Sequence, residues 1–215
     1  MKNLFAFIIC FCAFTFTTNA QVTMSVTAGV SPQQTPQPNH IFVNRSTGQE
    51  FTFDLAEVKS SYFIGVGARY DLKPFFVGAD ALYNRREFAY NVDYTMPEFG
   101  RTEQTEVYNE QMHIINVPLT LGVNLGIVDV TSGFVPQVIV SNQSDLSNLN
   151  GYSEKLDRLR LGMHSGVAAN IKDIRVGLSW QMDFNNYADH AYINDQNLTL
   201  QGRSSRFLGT LSYLF

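Results

Sequence analysis

The sequence predicts an all-β protein, built as a single eight-stranded antiparallel transmembrane barrel with long outer loops and short periplasmic turns. Eight stretches alternate apolar residues with polar or small ones, the period of a strand with two different faces. Each stretch is about 9 to 13 residues long, enough for a tilted strand to cross a bilayer, whereas ordinary strands have about 5 or 6. The connections between the stretches alternate between long and short, as in membrane barrels.

Composition excludes several classes of protein. The chain has 215 residues and a formal net charge of −4, which predicts one domain without the basic field that nucleic acid requires. Its two cysteines, Cys10 and Cys12, lie in the first dozen residues. The rest of the chain therefore has no disulfide scaffold, thiol nucleophile or cysteine zinc site. No later segment has 18 consecutive apolar residues, which excludes membrane-spanning helices.

The N-terminus is typical of a secretory signal peptide over residues 1–20. A basic residue precedes the apolar run Leu4–Phe16, and small residues in Thr18-Asn19-Ala20 form a cleavage site. The barrel domain is then 21–215. A membrane anchor and a lipoprotein are the alternatives, but the apolar run is short for an anchor, and bulky residues precede both cysteines.

The eight alternating stretches can be placed in order along the chain. They cover 22–30, 61–72, 74–84, 113–124, 128–141, 160–170, 174–184 and 206–215. The stretch over 128–141 contains Pro136, which predicts a bulge or a bend. The long connections are 31–58, 84–111, 142–158 and 185–203, and the short ones are 71–74, 124–127 and 171–173. This alternation places both chain ends in the periplasm.

The polar face carries charges that a soluble core would not accept. We interpret them as a charge network inside the barrel, formed by Arg69, Asp80, Arg160, His164, Arg175, Asp183 and Arg206. The apolar face, including Leu119, Leu121, Val176 and Leu178, must then face lipid. A soluble lipocalin-like barrel is the opposite arrangement, with apolar residues inside and charges outside.

Two motifs carry a resemblance to known proteins. Leu211, Tyr213 and the terminal Phe215 resemble the C-terminal signal that the barrel-assembly machinery of Gram-negative bacteria recognises. The segments GVGARYDLKPFFVGADALYNRREF and IINVPLTLGVNLG resemble the PorT-like ("porin family") outer-membrane β-barrel proteins. The resemblance implies a location in the cell outer membrane, with membrane lipid and the assembly machinery as partners.

The second outer loop is the most suggestive connection. Its alternation continues beyond the membrane zone, which predicts a hairpin with a turn near 97–100. Such a ribbon can bind an extracellular or envelope protein by β-augmentation or through exposed aromatic residues. The candidate binding residues are Phe88, Tyr90, Tyr94 and Tyr108. A plain hairpin folded over the barrel mouth is the alternative.

We predict a non-enzymatic barrel with a structural or binding role. Two alternatives are a lipid-modifying enzyme, such as a lipid A deacylase or acyltransferase, and a narrow pore for small solutes. Catalysis needs serine and histidine within hydrogen-bond reach. Ser165 points away from its neighbour His164, and the best available geometry is that of Ser179 with Asp183, which share the lumen face with His164 on the adjoining strand. An eight-stranded barrel is nearly filled by its own side chains, which disfavours a wide pore.

The sequence predicts no catalytic residue, no metal site and no cofactor. No pair of histidines has the spacing of metal ligands, and His190 falls in a loop. Asp145, Asn148 and Asn150, and the segment 189–195, can supply oxygen ligands to calcium. Polar loops carry such residues without binding calcium.

Overall fold

The computed structural model describes residues 22–34, 41–44, 50–96, 101–149, 151–193, 196–198 and 200–215. These residues form fourteen strands and a short 3-10 helix, Asp145–Asn148. The strands are β1 Val22–Ser31, β2 Ile41–Asn44, β3 Glu50–Val58, β4 Ser61–Leu72, β5 Phe75–Met96, β6 Arg101–Asn116, β7 Leu119–Asn124, β8 Val128–Ser144, β9 Tyr152–Glu154, β10 Leu159–Ile171, β11 Ile174–Tyr187, β12 Ala191–Ile193, β13 Gln196–Asn197 and β14 Leu200–Leu214.

The chain folds as a closed, eight-stranded antiparallel barrel of the outer-membrane type, as predicted. The order around the wall is β1, β4, β5, β6 continued by β7, β8, β10, β11 and β14. The last strand pairs with the first, for example at Val26 and Tyr213. Closure leaves no unpaired strand edge at this level, which the hydrocarbon of a membrane requires.

Two prolines modify the predicted strands. The stretch over 113–124 is divided into β6 and β7, because Pro118 has no N–H to donate to the ladder. Val117 still donates to the Pro136 carbonyl at 2.8 Å, so the wall stays continuous. The bulge expected at Pro136 lies elsewhere, since β8 stays in register with β10 through the pair Leu161–Pro136. The register against β6 shifts instead at Val140.

A belt of apolar side chains surrounds the barrel on its outside. Leu178 is 57% exposed, and the predicted lipid-facing leucines and valines of β7 and β11 also point outward. The belt includes Tyr62, Ile64, Val66, Leu119, Leu121, Phe134, Val167, Val176, Leu178, Phe207, Leu211 and Tyr213. This arrangement is the reverse of a soluble barrel and matches the apolar band, roughly 25 Å tall, of membrane barrels. No helix among the residues described is long and apolar enough to span a membrane.

Above the belt, the wall continues on one side as a raised sheet. The predicted hairpin of the second loop is present, because β5 and β6 pair as far as Met96 and Arg101. The predicted turn at 97–100 lies outside the described residues. The strands β2 and β3 in the first long connection were not predicted. β3 pairs with β5 above the first residues of β4. The raised sheet therefore has the order β2-β3-β5-β6.

The inner face of the raised sheet packs against the third and fourth outer loops. We call this assembly the cap, and it comprises the described residues of 50–58, 86–114, 141–158 and 185–203. The cap has a hydrophobic core of its own, which contains Phe53, Leu55, Phe88, Tyr90, Val92, Met112, Leu146, Leu149, Ile193, Leu198 and Leu200. The long loops are therefore a folded unit above the apolar belt.

Candidate functional site

A charge network fills the half of the barrel interior that lies nearer the short turns. Asp129 is fully buried and accepts from Arg69 Nη1 at 2.5 Å, while Arg175 Nη2 lies 3.2 Å away. Arg69 Nε also donates to Asp71 at 2.7 Å. The Arg69 guanidinium lies 3.6 Å from the ring centroid of Phe76, a cation–π contact. The network joins β4, β5, β8 and β11 across the interior.

A second network lies nearer the outer end. Arg86 Nη1 donates to Asp183 Oδ2 at 2.6 Å, and Gln137 and Gln181 both donate to Asp183 Oδ1. Arg206 is only 6% exposed, and its Nε and Nη2 have no hydrogen-bond partner within the described structure. Asp183 thus contacts one guanidinium group, that of Arg86, and a second, that of Arg206, is buried in the same part of the barrel.

Between the two networks the interior contains a cavity of about 140 Å³. Asp80, Arg175, His164 and Arg206 line it. His164 Nε2 lies 3.2 Å from the hydroxyl oxygen of Thr120. The acid that shares its face, Asp183, is engaged by Arg86 and two glutamines. His164 and Asp183 therefore each contact partners other than one another.

All seven predicted interior residues face the inside of the barrel or the cap. Six of them belong to the two networks or line the cavity: Arg69, Asp80, His164, Arg175, Asp183 and Arg206. Arg160 lies higher and pairs with Asp189 at 2.6 Å. The prediction missed Arg86 and Asp129. Asp129 binds both arginines of the first network, and Arg86 binds Asp183 in the second.

The second loop differs from its predicted form. Phe88 and Tyr90 are 6% and 1% exposed, so their expected exposure is wrong. The rings of Phe53 and Tyr90 stack with centroids 5.0 Å apart inside the cap. Tyr108 is partly buried and donates to Glu106 at 2.6 Å. The side chain of Tyr94 lies outside the described residues.

The cap contains a cluster of ionisable side chains around Glu110, which is fully buried on β6. Glu110 accepts from the Tyr90 hydroxyl at 2.9 Å and from Asn142 Nδ2 at 2.8 Å. His190 Nε2 lies 2.6 Å from Glu110 Oε1. Asn142 Nδ2 also donates to Glu154 Oε1 at 2.6 Å. The cluster therefore joins β6 and β8 to β9 and to the turn that precedes β12.

The surroundings of these groups shift their titration. Burial alone raises the pKa of Glu110, but the hydrogen bonds and the charge of its neighbours outweigh burial and lower the pKa. For His190, burial acts to lower the pKa, and the hydrogen bonds with Asp189 and Glu110 raise it to about 9. Burial and the Glu110 charge raise the pKa of Tyr90 well above its ordinary value. Glu110 and His190 thus form a buried charge pair.

The residues weighed for calcium have other contacts. Asp145 accepts the backbone N–H of Asn109 at 3.2 Å, and Asp189 binds Arg160. Asn150 and the residues 194–195 lie outside the described residues. The histidine that the sequence assigned to a loop, His190, is instead at the centre of the cap cluster.

The C-terminal residues lie at the barrel seam. Leu211, Tyr213 and Phe215 point outward and are 56%, 56% and 66% exposed. The backbone N–H and carbonyl of Phe215 both bond to Met24, each at 2.9 Å. The terminal residue therefore helps to close the barrel, while its aromatic ring points outward and stacks on Tyr213 with ring centroids 6.4 Å apart.

Comparison with known proteins gives distant structural likenesses. No protein-family model matches the sequence, and no curated protein matches it. The chain is similar to the outer membrane protease OmpT from Escherichia coli, with 10% identity and a TM-score of 0.42 over 94% of this chain and 98% of that one. It is also similar to the transport unit of the autotransporter AIDA-I from Escherichia coli, with 11% identity and a TM-score of 0.39 over 94% and 92%. The PorT-like resemblance stays a prediction.

Proposed function

We propose that this protein is a non-enzymatic outer-membrane barrel that presents its cap at the surface of a Gram-negative cell, where the cap binds a protein partner. The belt supports a place in a membrane, and the signal peptide and C-terminal motif support the outer membrane. PorT-like membership agrees with this location. The binding role rests on the raised sheet. Its edge strand, β6, pairs in its upper part with β5 and with no second strand among the described residues.

The edge of that sheet is the proposed binding surface. β6 pairs with β8 only from Glu110 downward, starting at the pair Glu110–Ser144. Above Glu110, the described residues include no strand on the far side of β6, which pairs there with β5 alone. Val107, on the outer face of this segment, is 58% exposed. The Asn109 N–H on this edge bonds to Asp145 Oδ2 at 3.2 Å, so the edge available to an added partner strand lies beyond it, beside the exposed Val107 side chain.

The interior supports a structural role over the two alternatives. Nucleophilic catalysis would require His164 to contact a serine and an acid, yet its described side-chain contact is with Thr120, and Asp183 is engaged elsewhere. Conduction would require a continuous path, whereas two buried ion networks cross the lumen. Both networks join strands on different sides of the wall, which suits a rigid support for the cap.

Site-specific photo-crosslinking in intact cells tests the proposal. A benzophenone side chain is placed at Val107 on the cap and, as a matched control, at Leu178 in the belt, because the two residues are 58% and 57% exposed. We expect a protein adduct from position 107 and no protein adduct from position 178. Lack of any protein adduct from position 107, with the barrel correctly inserted, would overturn the proposed role.

A further inference from the structure

The cap cluster has the composition of a metal site. Glu110, Glu154 and His190 each offer one ligand atom, and these three atoms all lie within 4.8 Å of one another. Zinc bonds to nitrogen and oxygen of roughly 2.0–2.2 Å place neighbouring tetrahedral ligands about 3.4 Å apart. Glu154 is exposed, so a change of its rotamer brings its carboxylate to the ion, while Glu110 Oε1 and His190 Nε2, which lie 2.6 Å apart, would separate by about 0.8 Å to reach this spacing. From this arrangement we propose that the cap binds one divalent transition-metal ion of the zinc type.

Charge favours a cation at this point. Two carboxylates, Glu110 and Glu154, converge on the same amide nitrogen of Asn142. The nearby cation Arg160 is held by Asp189 at 2.6 Å, and Lys155 lies over the ring of Tyr192 at 4.5 Å. A divalent ion bound by two carboxylates and a neutral imidazole balances the charge completely.

Two further contacts support the same reading. Asn142 Oδ1 is buried and has no hydrogen-bond partner in the described part of the chain. Rotating the amide exchanges its oxygen and nitrogen, which would give the ion an oxygen as fourth ligand. The other ring nitrogen of His190, Nδ1, lies 3.5 Å from Asp189 Oδ1. Metal-binding histidines commonly have a carboxylate at this second nitrogen, because it orients the ring.

The donor set decides the class of metal. Imidazole suits zinc, copper, iron and nickel, whereas magnesium and calcium prefer sites made of oxygen alone. One imidazole with two carboxylates and an amide oxygen therefore favours zinc over calcium. Because the ligands come from the second, third and fourth outer loops, the ion would join the raised sheet to the loops packed against it. It would stabilise the cap that the proposed partner contacts, although its binding does not depend on any partner.

Titration calorimetry with Zn²⁺ tests the site. The full chain, purified in detergent without a polyhistidine tag and treated with chelator, is compared with Glu154→Gln and Glu57→Gln. Glu57 accepts from Gln33 on the far side of the raised sheet and serves as the matched control. We expect one ion per chain, at least about tenfold weaker binding for Glu154→Gln, and unchanged binding for Glu57→Gln.

Two outcomes would overturn the inference. One is the absence of Zn²⁺ binding to the folded chain. The other is equal affinity of the wild-type chain and Glu154→Gln, which would place the ion elsewhere. Glu154 is exposed, so its substitution tests the site even if a variant of the buried His190 fails to fold. Visible absorption of bound Co²⁺ gives a second readout, because its intensity reports a four-coordinate site.

Discussion

Arg86 and Asp183 are 97 positions apart in the chain and meet inside the barrel, with 2.6 Å between Arg86 Nη1 and Asp183 Oδ2. Their side chains are 6% and 8% exposed, so each charge depends on the other for compensation. Because Arg86 lies on β5 and Asp183 on β11, the pair links opposite parts of the wall at the base of the cap. Such a pair is costly to form, and it is still more costly to break by removing one partner.

Replacing Arg86 by glutamine should therefore destabilise the barrel by about 3 kcal/mol or more, because Asp183 loses its cation in a buried site. The neighbouring Arg85→Gln is the matched control, since Arg85 points out of the barrel and its side chain is 37% exposed. We expect Arg85→Gln to change stability little. Urea unfolding from lipid vesicles measures both variants, and similar losses for the two would contradict the role given to the pair.

The belt predicts that position along the wall, rather than exposure, decides the effect of a charge. Leu178 and Val107 are equally exposed, at 57% and 58%, but Leu178 lies in the belt and Val107 in the cap. Leu178→Arg should reduce the free energy of folding into vesicles by about 2–4 kcal/mol. Val107→Arg should leave it nearly unchanged, because its side chain stays in water. If both substitutions are harmless, the outward apolar surface does not face lipid.

The cap core predicts local unfolding. Phe53 is fully buried in the cap, and truncation of a buried phenylalanine costs about 3–5 kcal/mol. Since the cap has its own core, Phe53→Ala should open the outer loops and leave the barrel below intact. Limited proteolysis of intact cells should then cleave the cap of this variant faster than that of wild type. Phe134→Ala, at a belt position that is 59% exposed, should keep the wild-type pattern, and rapid cleavage there would argue against an independent cap.

The barrel could be predicted because its signal is local. A strand that faces lipid on one side and a lumen on the other repeats every two residues, so short stretches show both the strand and its orientation. Arg86 shows where that interpretation stopped too soon. Arg86 is an even number of residues from the inward-facing Leu82, so its side chain also faces inward. The third predicted stretch ended at residue 84, however, and the arginine was assigned to a loop. Extending the alternation by one step would have placed it inside.

The cap could not be predicted in the same way. Its core combines residues from four outer loops, and a contact between distant loops leaves no period in the sequence. Glu110 and His190 are separated by 80 positions, so neither has a nearby ligand that marks a metal site. Phe51, Phe53 and Leu55 did alternate within the first long connection. The whole of 31–58 was treated as a connection and this alternation was not used, so β3 was missed.

The backbone and the ring of Phe215 have different proposed roles, in barrel closure and in assembly. Its backbone bonds to Met24 and its exposed ring is the proposed assembly signal, so Phe215→Ala removes the ring and keeps the bonds. We expect several-fold less inserted barrel in cells but normal unassisted refolding into detergent. Phe207→Ala is the matched control, because Phe207 also belongs to β14 and is 56% exposed. Heat-dependent gel mobility measures the folded fraction in both settings. An equal loss for both variants in cells, or a refolding defect specific to Phe215→Ala, would show that the ring acts through stability and is not a recognition signal.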